Sequence, residues 1–439
     1  MHARKADIAV LGCGWAGVLL SLKLKERFPS AKVICIDKSP SPGGLLKTEI
    51  VDGFTFDVGG SHIIFSRDAA VLSELLGFLG ENIVRHERKS YILYRGYKVP
   101  YPFENGLHVL PPDLRAEMLV GFVEKLVKNS QASTRPRNLK EWAEEFFGHP
   151  IAQEYLIPYN EKIWKRSADQ IDSDWLFTPG RLPWPDWRDV VRSGAGVPTT
   201  GYREQAVFYY PENRGIQSLY DSVYKRAVSR GVEVLGGLGV ERLEKRDTWR
   251  VNGSLETEKV FSTIPLRELI ASLDAPSDVR REASRLEYNR VVVVGVALHK
   301  EAPPEHWVYV PDRDLVLHRY AWISNYSPAN APKGCSALIA ETTVEPSRNI
   351  SKEDLEERVI DDLKELGVVS ESGSEVILVK SWVHEYGYPV YTIGHAAARE
   401  KVLNYLSQIG VNSVGRWGSW HYWNMDRVLA EVNRLVSNV

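Results

Sequence analysis

The 439-residue chain is 44% apolar and 26% charged, ordinary globular proportions that exclude disorder and fibrous repeats and leave room for two or three domains. Its 55 Lys and Arg against 57 Asp and Glu give a net charge of −2, with no basic surplus to neutralise a nucleic-acid backbone. Three cysteines, Cys13, Cys35 and Cys335, form no spaced pair, and the 11 histidines show no ligand spacing, so neither a disulfide framework nor a metal site is expected. The longest apolar runs, such as 291–298, are far too short to span a membrane, and the start of the chain lacks the shape of a signal peptide. The expectation is a cytoplasmic protein with no membrane insertion.

In chain order, residues 6–11 read as a buried strand, 15–28 as a helix and 32–36 as a second buried strand. Helical periodicity occupies 106–170, with Leu114, Met118, Leu119, Phe122 and Leu126 on one stripe. The span 171–215, rich in Pro, Gly and Trp, reads as irregular cleft wall. A helix fits 216–229, followed by strands near 232–235, 240–244 and 258–263. Apolar, β-branched runs at 290–298, 305–310, 315–323 and 337–343 predict an antiparallel sheet. Ser351 and Asp354 form a capping-box signal for a helix with Leu355, Val359 and Leu363 inward. Strand 375–383, helix 396–408, strand 411–416 and helix 420–436 finish the chain. The fold class is α/β, α+β overall.

Gly12, Gly14 and Gly17 form GxGxxG directly after a strand and at the start of a helix. The first glycine permits the tight turn, the second lets a pyrophosphate approach the backbone, and the third lets helix and strand pack closely. The helix N-terminus offers unpaired N–H groups to the anion. Asp37 ends the second strand, 20 residues after Gly17, where a carboxylate takes a ribose hydroxyl. A second glycine cluster, Gly43-Gly44 and then Gly59-Gly60-Ser61-His62, has no purpose in an NAD dehydrogenase. It suits a flavin ring that the backbone must approach closely, so FAD is favoured over NAD.

The run from Gly12 to His62 resembles the FAD-binding start of the superfamily that holds amine oxidases, protoporphyrinogen oxidase and UDP-galactopyranose mutase. Later motifs resemble the mutase family, in order along the chain: Tyr159-Asn160-Glu161-Lys162-Ile163-Trp164, Gly180-Arg181-Leu182-Pro183, Gly201-Tyr202, Arg319 with Ser324-Asn325-Tyr326-Ser327-Pro328, Tyr388-Pro389, and Gly415-Arg416 through Tyr422, Asn424, Met425 and Asp426. Asn289 stands where bacterial members often carry Arg, and Ser66-Arg67 where a second His is usual.

The resemblance implies a Rossmann-like FAD-binding domain from 1–90, 205–280 and 405–439. It also implies a helical insertion over 105–180 and an antiparallel-sheet substrate domain from 91–104, 181–204 and 281–404. The implied reaction interconverts UDP-galactopyranose and UDP-galactofuranose. N5 of reduced FAD attacks the anomeric carbon, UDP leaves, the sugar ring opens and recloses, and UDP returns with no net redox change.

On the same resemblance Arg181, Arg319 and His62 carry catalysis. The two guanidinium groups are suited to a leaving diphosphate because they bind phosphate oxygens bidentately. Tyr159, Trp164, Tyr202, Asn325, Tyr326, Tyr388, Tyr422 and Asn424 bind the UDP-sugar. Gly12, Gly14, Trp15, Ala16, Gly17, Asp37, Lys38, Gly44, Leu45, Gly60, Ser61, His62, Val240, Arg416, Asn424 and Met425 hold FAD. Read from the residues alone, Arg319 is equally a strand ion pair, His62 a bonded loop histidine and Arg416 a salt bridge beside a helix. An electron donor such as NAD(P)H is an implied partner, and a homo-oligomer is compatible with the sequence. A flavin oxidase or desaturase acting on an amine, porphyrinogen or isoprenoid is the alternative activity.

Overall fold

The computed structural model describes residues 4–128, 135–177, 186–199 and 206–439. Two seven-stranded sheets organise them. In the first, strand Arg4–Leu11 lies parallel to Val33–Asp37 on one side and to Leu255–Ser262 on the other. Glu233–Gly236 extends the parallel set beyond Val33–Asp37, and Val411–Ser413 pairs with Leu255–Ser262. An antiparallel hairpin, Leu243–Lys245 and Trp249–Val251, closes one edge. Val10 and Leu11 are fully buried on opposite faces, in two different core clusters, so the strand needs apolar side chains at successive positions. Helix Trp15–Arg27 covers one of those faces.

The second sheet runs in the order Val376–Val390, Glu287–Leu298, Ser336–Val344, Arg319–Ala321, Trp307–Tyr309, Ser90–Tyr94, Tyr97–Pro100. It is mixed rather than purely antiparallel as expected, because Trp307–Tyr309 pairs in parallel with Ser90–Tyr94. Within strand 287–298, Val292, Val294 and Val296 turn to the layer containing helix Lys352–Glu365, while Val293 and Ala297 join the core shared with the first sheet. Both faces are buried, which is why that run is continuously apolar. Arg319 and Glu341 are lateral partners in this sheet.

The helices Pro112–Lys128, Leu139–Phe147 and Ile157–Trp164 build a separate core that closes against Val291, Tyr388 and Val390 of the second sheet. Of the stripe expected to face inward, only Met118 and Phe122 are buried; Leu126 is 36% exposed.

Several boundaries differ from expectation. Strand 376–390 runs seven residues past the expected end. The helix expected from residue 420 begins at Met425, because Trp420 adopts φ 48° and breaks the run after a short turn at Gly415–Gly418. Helix Ala69–Leu79, capped by the Asp68 side chain, carried no sequence expectation. The Ser351 hydroxyl accepts the Asp354 N–H at 3.2 Å, so the cap is present in one direction. Among the described residues no helix is long and apolar enough to cross a membrane.

Candidate active site

A cavity of about 680 Å³ lies where the two sheets and the helical layer meet. One wall is a glycine cradle. Gly12 has φ +90°, and a Cβ there would lie 2.7 Å from Thr263 Oγ1. A Cβ on Gly17 would stand 1.8 Å from the Gly12 carbonyl oxygen, so helix and strand pack together only with glycine there. Gly14 caps helix 15–27 without a side chain to bond its first N–H groups, and the first turn holds no acidic residue. That leaves the end of the helix ready for an anion. Asp37 accepts the Cys13 N–H at 2.7 Å and the Ser39 N–H at 2.8 Å, which ties the loop to the second strand. Gly44 adopts φ +58° and faces the Gly14 Cα, and a Cβ on Gly59 would collide with the Leu45 carbonyl at 2.0 Å. Leu45, Lys38 and Val240 join the same wall, with Lys38 paired to Glu268 at 3.1 Å.

The facing wall is polar. Arg319 gives Nη2 to both oxygens of Glu341, at 2.6 and 2.7 Å, while its buried Nε has no hydrogen-bond partner among the described residues. Glu341 is 1% exposed. It also accepts the Ser61 N–H at 2.9 Å and the Tyr388 hydroxyl at 3.2 Å. Burial works against the Arg319 charge, but Glu341 outweighs it and holds the guanidinium more firmly protonated than usual. Arg416 lies over the Tyr422 ring at 4.4 Å and within 5.8 Å of the Tyr388 ring. The His62 Nδ1–H donates to the Gly60 carbonyl at 2.8 Å, which leaves the lone pair on Nε2. Burial first, and Arg416 second, push this imidazole down to about 4, so it is neutral at physiological pH.

Tyr159 and Trp164 reach the cavity from helix 157–164, with the Trp164 indole N–H bonded to Asn160 at 3.1 Å. The Trp15 indole N–H donates to the Met425 carbonyl at 3.2 Å, drawing the start of helix Met425–Ser437, and Asn424 before it, to the cradle.

Two expected contacts are not brought to the cavity. Asn325 spends its amide on the carbonyls of Pro303 and Glu305, at 2.7 and 2.6 Å, and so fixes a turn. Tyr326 is fully buried in the core, with its hydroxyl 2.6 Å from Ser61 Oγ. Arg181 and Tyr202 lie outside the described residues. Glu341, His318, Glu104 and Trp142 line the cavity and were not singled out from the sequence. Only Glu341 left a trace there, as the one acid in the otherwise uncharged strand Ser336–Val344.

Residues 21–410 match the flavin-containing amine oxidoreductase family. The chain belongs to that family. Its fold is similar to that of a UDP-galactopyranose mutase solved in reduced form, with a TM-score of 0.89 at 22% identity over 99% of this chain and 93% of the other. It is also similar to a candidate protoporphyrinogen oxidase from Exiguobacterium sp. 255-15, with a TM-score of 0.76 at 19% identity over 100% and 99%. A putrescine oxidase redesigned in cofactor binding superposes with a TM-score of 0.64 at 13% identity over 99% of each chain.

This flavoprotein's cofactor is FAD, and the cradle fits it. The crowding around Gly12, Gly17 and Gly59 leaves bare backbone where a dinucleotide must approach, and the uncapped start of helix 15–27 suits its phosphates. Trp15, Ala16, Gly60, Ser61, His62, Arg416 and Met425 line the same cavity; Gly17 acts from behind, by keeping the loop against its strand.

Proposed function

We propose that the chain is a flavin-dependent nucleotide-sugar mutase that interconverts UDP-galactopyranose and UDP-galactofuranose. One observation carries the reading: a charged arginine with spare donors, Arg319, is fixed on the wall that also bears the flavin-side residues Gly60, Ser61 and His62. Oxidation of an amine puts no anion beside such a group, whereas release and recapture of a diphosphate does.

FAD, reduced by a donor such as NAD(P)H, supplies the nucleophile for the anomeric carbon. The chain's residues hold the substrate against it. Glu341 occupies only Nη2 of Arg319, so the rest of the guanidinium edge serves the diphosphate as it takes up charge. Arg416, stacked on Tyr422, adds a second cation, and the Tyr388 hydroxyl stands between them. Neutral His62 adds no charge of its own and presents Nε2 as an acceptor for a sugar hydroxyl. Tyr159 and Trp164 supply flat walls for the base. The helical layer over the cavity limits water, which strengthens each of these contacts.

The test is incubation of dithionite-reduced protein with UDP-galactofuranose, with the pyranose form followed by chromatography. Conversion by reduced protein and none by oxidised protein is the expected result. The family assignment and the likeness to oxidases keep a second reading, an FAD-dependent oxidase. Oxygen-dependent turnover of an amine or porphyrinogen, without sugar isomerisation, establishes that one instead.

A further inference from the structure

The segment that carries Tyr422 is neither helix nor strand. After the short turn Gly415–Gly418 the chain passes through Trp420, at φ 48°, and takes an irregular path to helix Met425–Ser437. Contacts with other parts of the chain therefore decide where this segment stands. The His421 N–H donates back to the Arg416 carbonyl at 2.8 Å, and the Tyr422 N–H donates to the Tyr391 hydroxyl oxygen at 2.6 Å. Tyr391 is itself well fixed. It is buried, its carbonyl accepts the Asp172 N–H at 2.8 Å, and its ring stacks with Trp175 at 5.8 Å.

The Tyr391 hydroxyl has a second neighbour. His421 Nδ1 lies 3.3 Å from it, and the other ring nitrogen, Nε2, is hydrogen-bonded to the Arg399 guanidinium on helix His395–Gln408. A guanidinium only donates, so Nε2 is the bare nitrogen and Nδ1 carries the proton. The Tyr391 oxygen then accepts from Nδ1–H on one side and from the Tyr422 N–H on the other. Arg399 is a costly group to place there. It is half-buried, its Nε has no hydrogen-bond partner, and its one hydrogen bond among the described residues goes to His421 rather than to a carboxylate. Arg399, His421 and Tyr391 do not line the cavity, whereas Arg416 and Tyr422 do.

We propose that Arg399 is a positioning residue for the cation at Arg416, acting through His421 and Tyr391 on the placement of Tyr422. The Arg416 guanidinium rests 4.4 Å over the Tyr422 ring, and that ring meets Tyr388 edge-on at 5.1 Å and Trp164 at 5.9 Å. Tyr422 thus joins the second cation to the wall that bears Tyr388 and Trp164, and a shift of its backbone moves the charge. Misplacement by about 1 Å can cost about 10²-fold in rate. Arg399 fixes the imidazole tautomer, the imidazole fixes the Tyr391 oxygen, and the oxygen fixes the Tyr422 N–H. The inference rests on the nucleotide-sugar reading above and adds a residue outside the cavity on which its anion grip depends.

The test uses the FAD-loaded protein, titrated calorimetrically with inorganic pyrophosphate and separately with UDP. Arg399→Met keeps an apolar stem and removes the donors. Both affinities fall about three- to tenfold, the effect of one lost hydrogen bond. Tyr391→Phe, which cannot accept the Tyr422 N–H, lowers them at least as far. In the double variant Arg399→Met adds less than about a twofold loss, because its route to Tyr422 is already cut. Losses that multiply in the double variant overturn the proposal, since they mark two independent structural contributions. If either variant does not fold, His421→Phe decides, as it keeps a ring and deletes both nitrogens: undiminished pyrophosphate affinity there overturns the proposal. A wild-type protein that binds UDP and pyrophosphate no better than Arg399→Met does removes this inference alone. One that binds neither removes the nucleotide-sugar reading and this inference with it.

Discussion

Arg319 spends a single nitrogen, Nη2, on both oxygens of Glu341. Strand register enforces the pair, since the two residues are lateral neighbours in adjacent antiparallel strands. The carboxylate is fixed in turn by the Ser61 N–H and the Tyr388 hydroxyl, so three donors from distant parts of the chain meet at one buried anion. Glu341 cancels part of the Arg319 charge, a cost to anion binding, yet it also removes the guanidinium's freedom to turn away. Preorganised donors act more strongly on developing charge than mobile ones do.

Arg319→Lys tests this division. An ammonium is one compact donor group and cannot hold Glu341 while presenting a planar edge to a diphosphate. Loss of a preorganised donor typically lowers kcat about 10²–10³-fold, and that is the expected drop in furanose-to-pyranose conversion. The flavin absorbance per protein stays close to the wild-type value, because Arg319 makes no bond to Gly12, Gly14 or the start of helix 15–27, where the phosphates of FAD are held. Arg319→Ala is the poorer probe, since it strands a buried carboxylate at a cost of about 3–5 kcal/mol and confounds activity with folding. Wild-type turnover in Arg319→Lys removes the residue from the mechanism.

Gly14 and Gly17 separate phosphate approach from packing. Gly14 has φ −75°, and a Cβ there meets nothing closer than the Gly44 Cα at 3.7 Å. Gly14→Ala therefore folds with an ordinary melting temperature but binds FAD more weakly, because the methyl group fills space at the cavity wall where the phosphates approach. Gly17→Ala puts its Cβ 1.8 Å from the Gly12 carbonyl and must separate helix from strand, so stability and FAD fall together. Denaturation curves of the apoproteins and FAD titrations distinguish the two. Equal losses of stability in both variants contradict the assignment.

What the sequence made legible follows chain distance. The cradle from Gly12 to Asp37 is one continuous strand–helix–strand unit in which Gly17 packs on Gly12, so pattern sufficed to find it, although Gly12 also packs on the distant Thr263. The Arg319–Glu341 pair depends on register between strands joined by a long connection, and only Arg319 carried a motif. Asn325 and Tyr326 lay in a recognisable turn, but a motif does not fix side-chain direction: here one closes the turn and the other enters the core. The false start at residue 420 has a conformational cause, a tryptophan at positive φ, which no propensity signals. Glu104 and Trp142 lie far apart in sequence and come to line one cavity only through the fold.

A buried carboxyl outside the cavity sets a pH signature. Asp57 accepts hydrogen bonds from the Thr48 and Tyr210 hydroxyls, both at 2.7 Å, and from the Ile216 N–H at 3.0 Å. Burial nevertheless dominates and raises it to about 6. A folded-state value above the unfolded one means the native protein holds the extra proton. The stability it contributes is complete below about pH 4 and is lost as pH rises through about 6, by an amount on the order of 2–3 kcal/mol. Asp57→Asn, in which the Tyr210 hydroxyl turns to accept from the new amide, removes that slope. The difference between the urea-unfolding free energies of wild type and variant, measured from pH 4 to 7, isolates the effect; a difference that does not change with pH refutes it.

Asn289 holds the base-facing helix in place without touching the cavity. It is fully buried, and its side-chain amide donates to the Ile163 and Trp164 carbonyls at 3.0 and 2.8 Å, the last carbonyls of helix 157–164. The Lys162 ammonium adds a second latch, to the Val310 carbonyl at 3.0 Å. Tyr159 and Trp164 owe their position to these bonds with strand 287–298 and the loop beyond Tyr309. Asn289→Asp cannot donate and places a carboxylate against two carbonyl oxygens; Asn289→Ala leaves the carbonyls unpaired, at about 1–3 kcal/mol. Both variants retain FAD, because the cradle shares no bond with this latch. KM for the nucleotide sugar rises while kcat changes little, since Arg319 stays anchored by Glu341. A fall in kcat at unchanged KM places Asn289 in the chemistry rather than in the positioning of the helix.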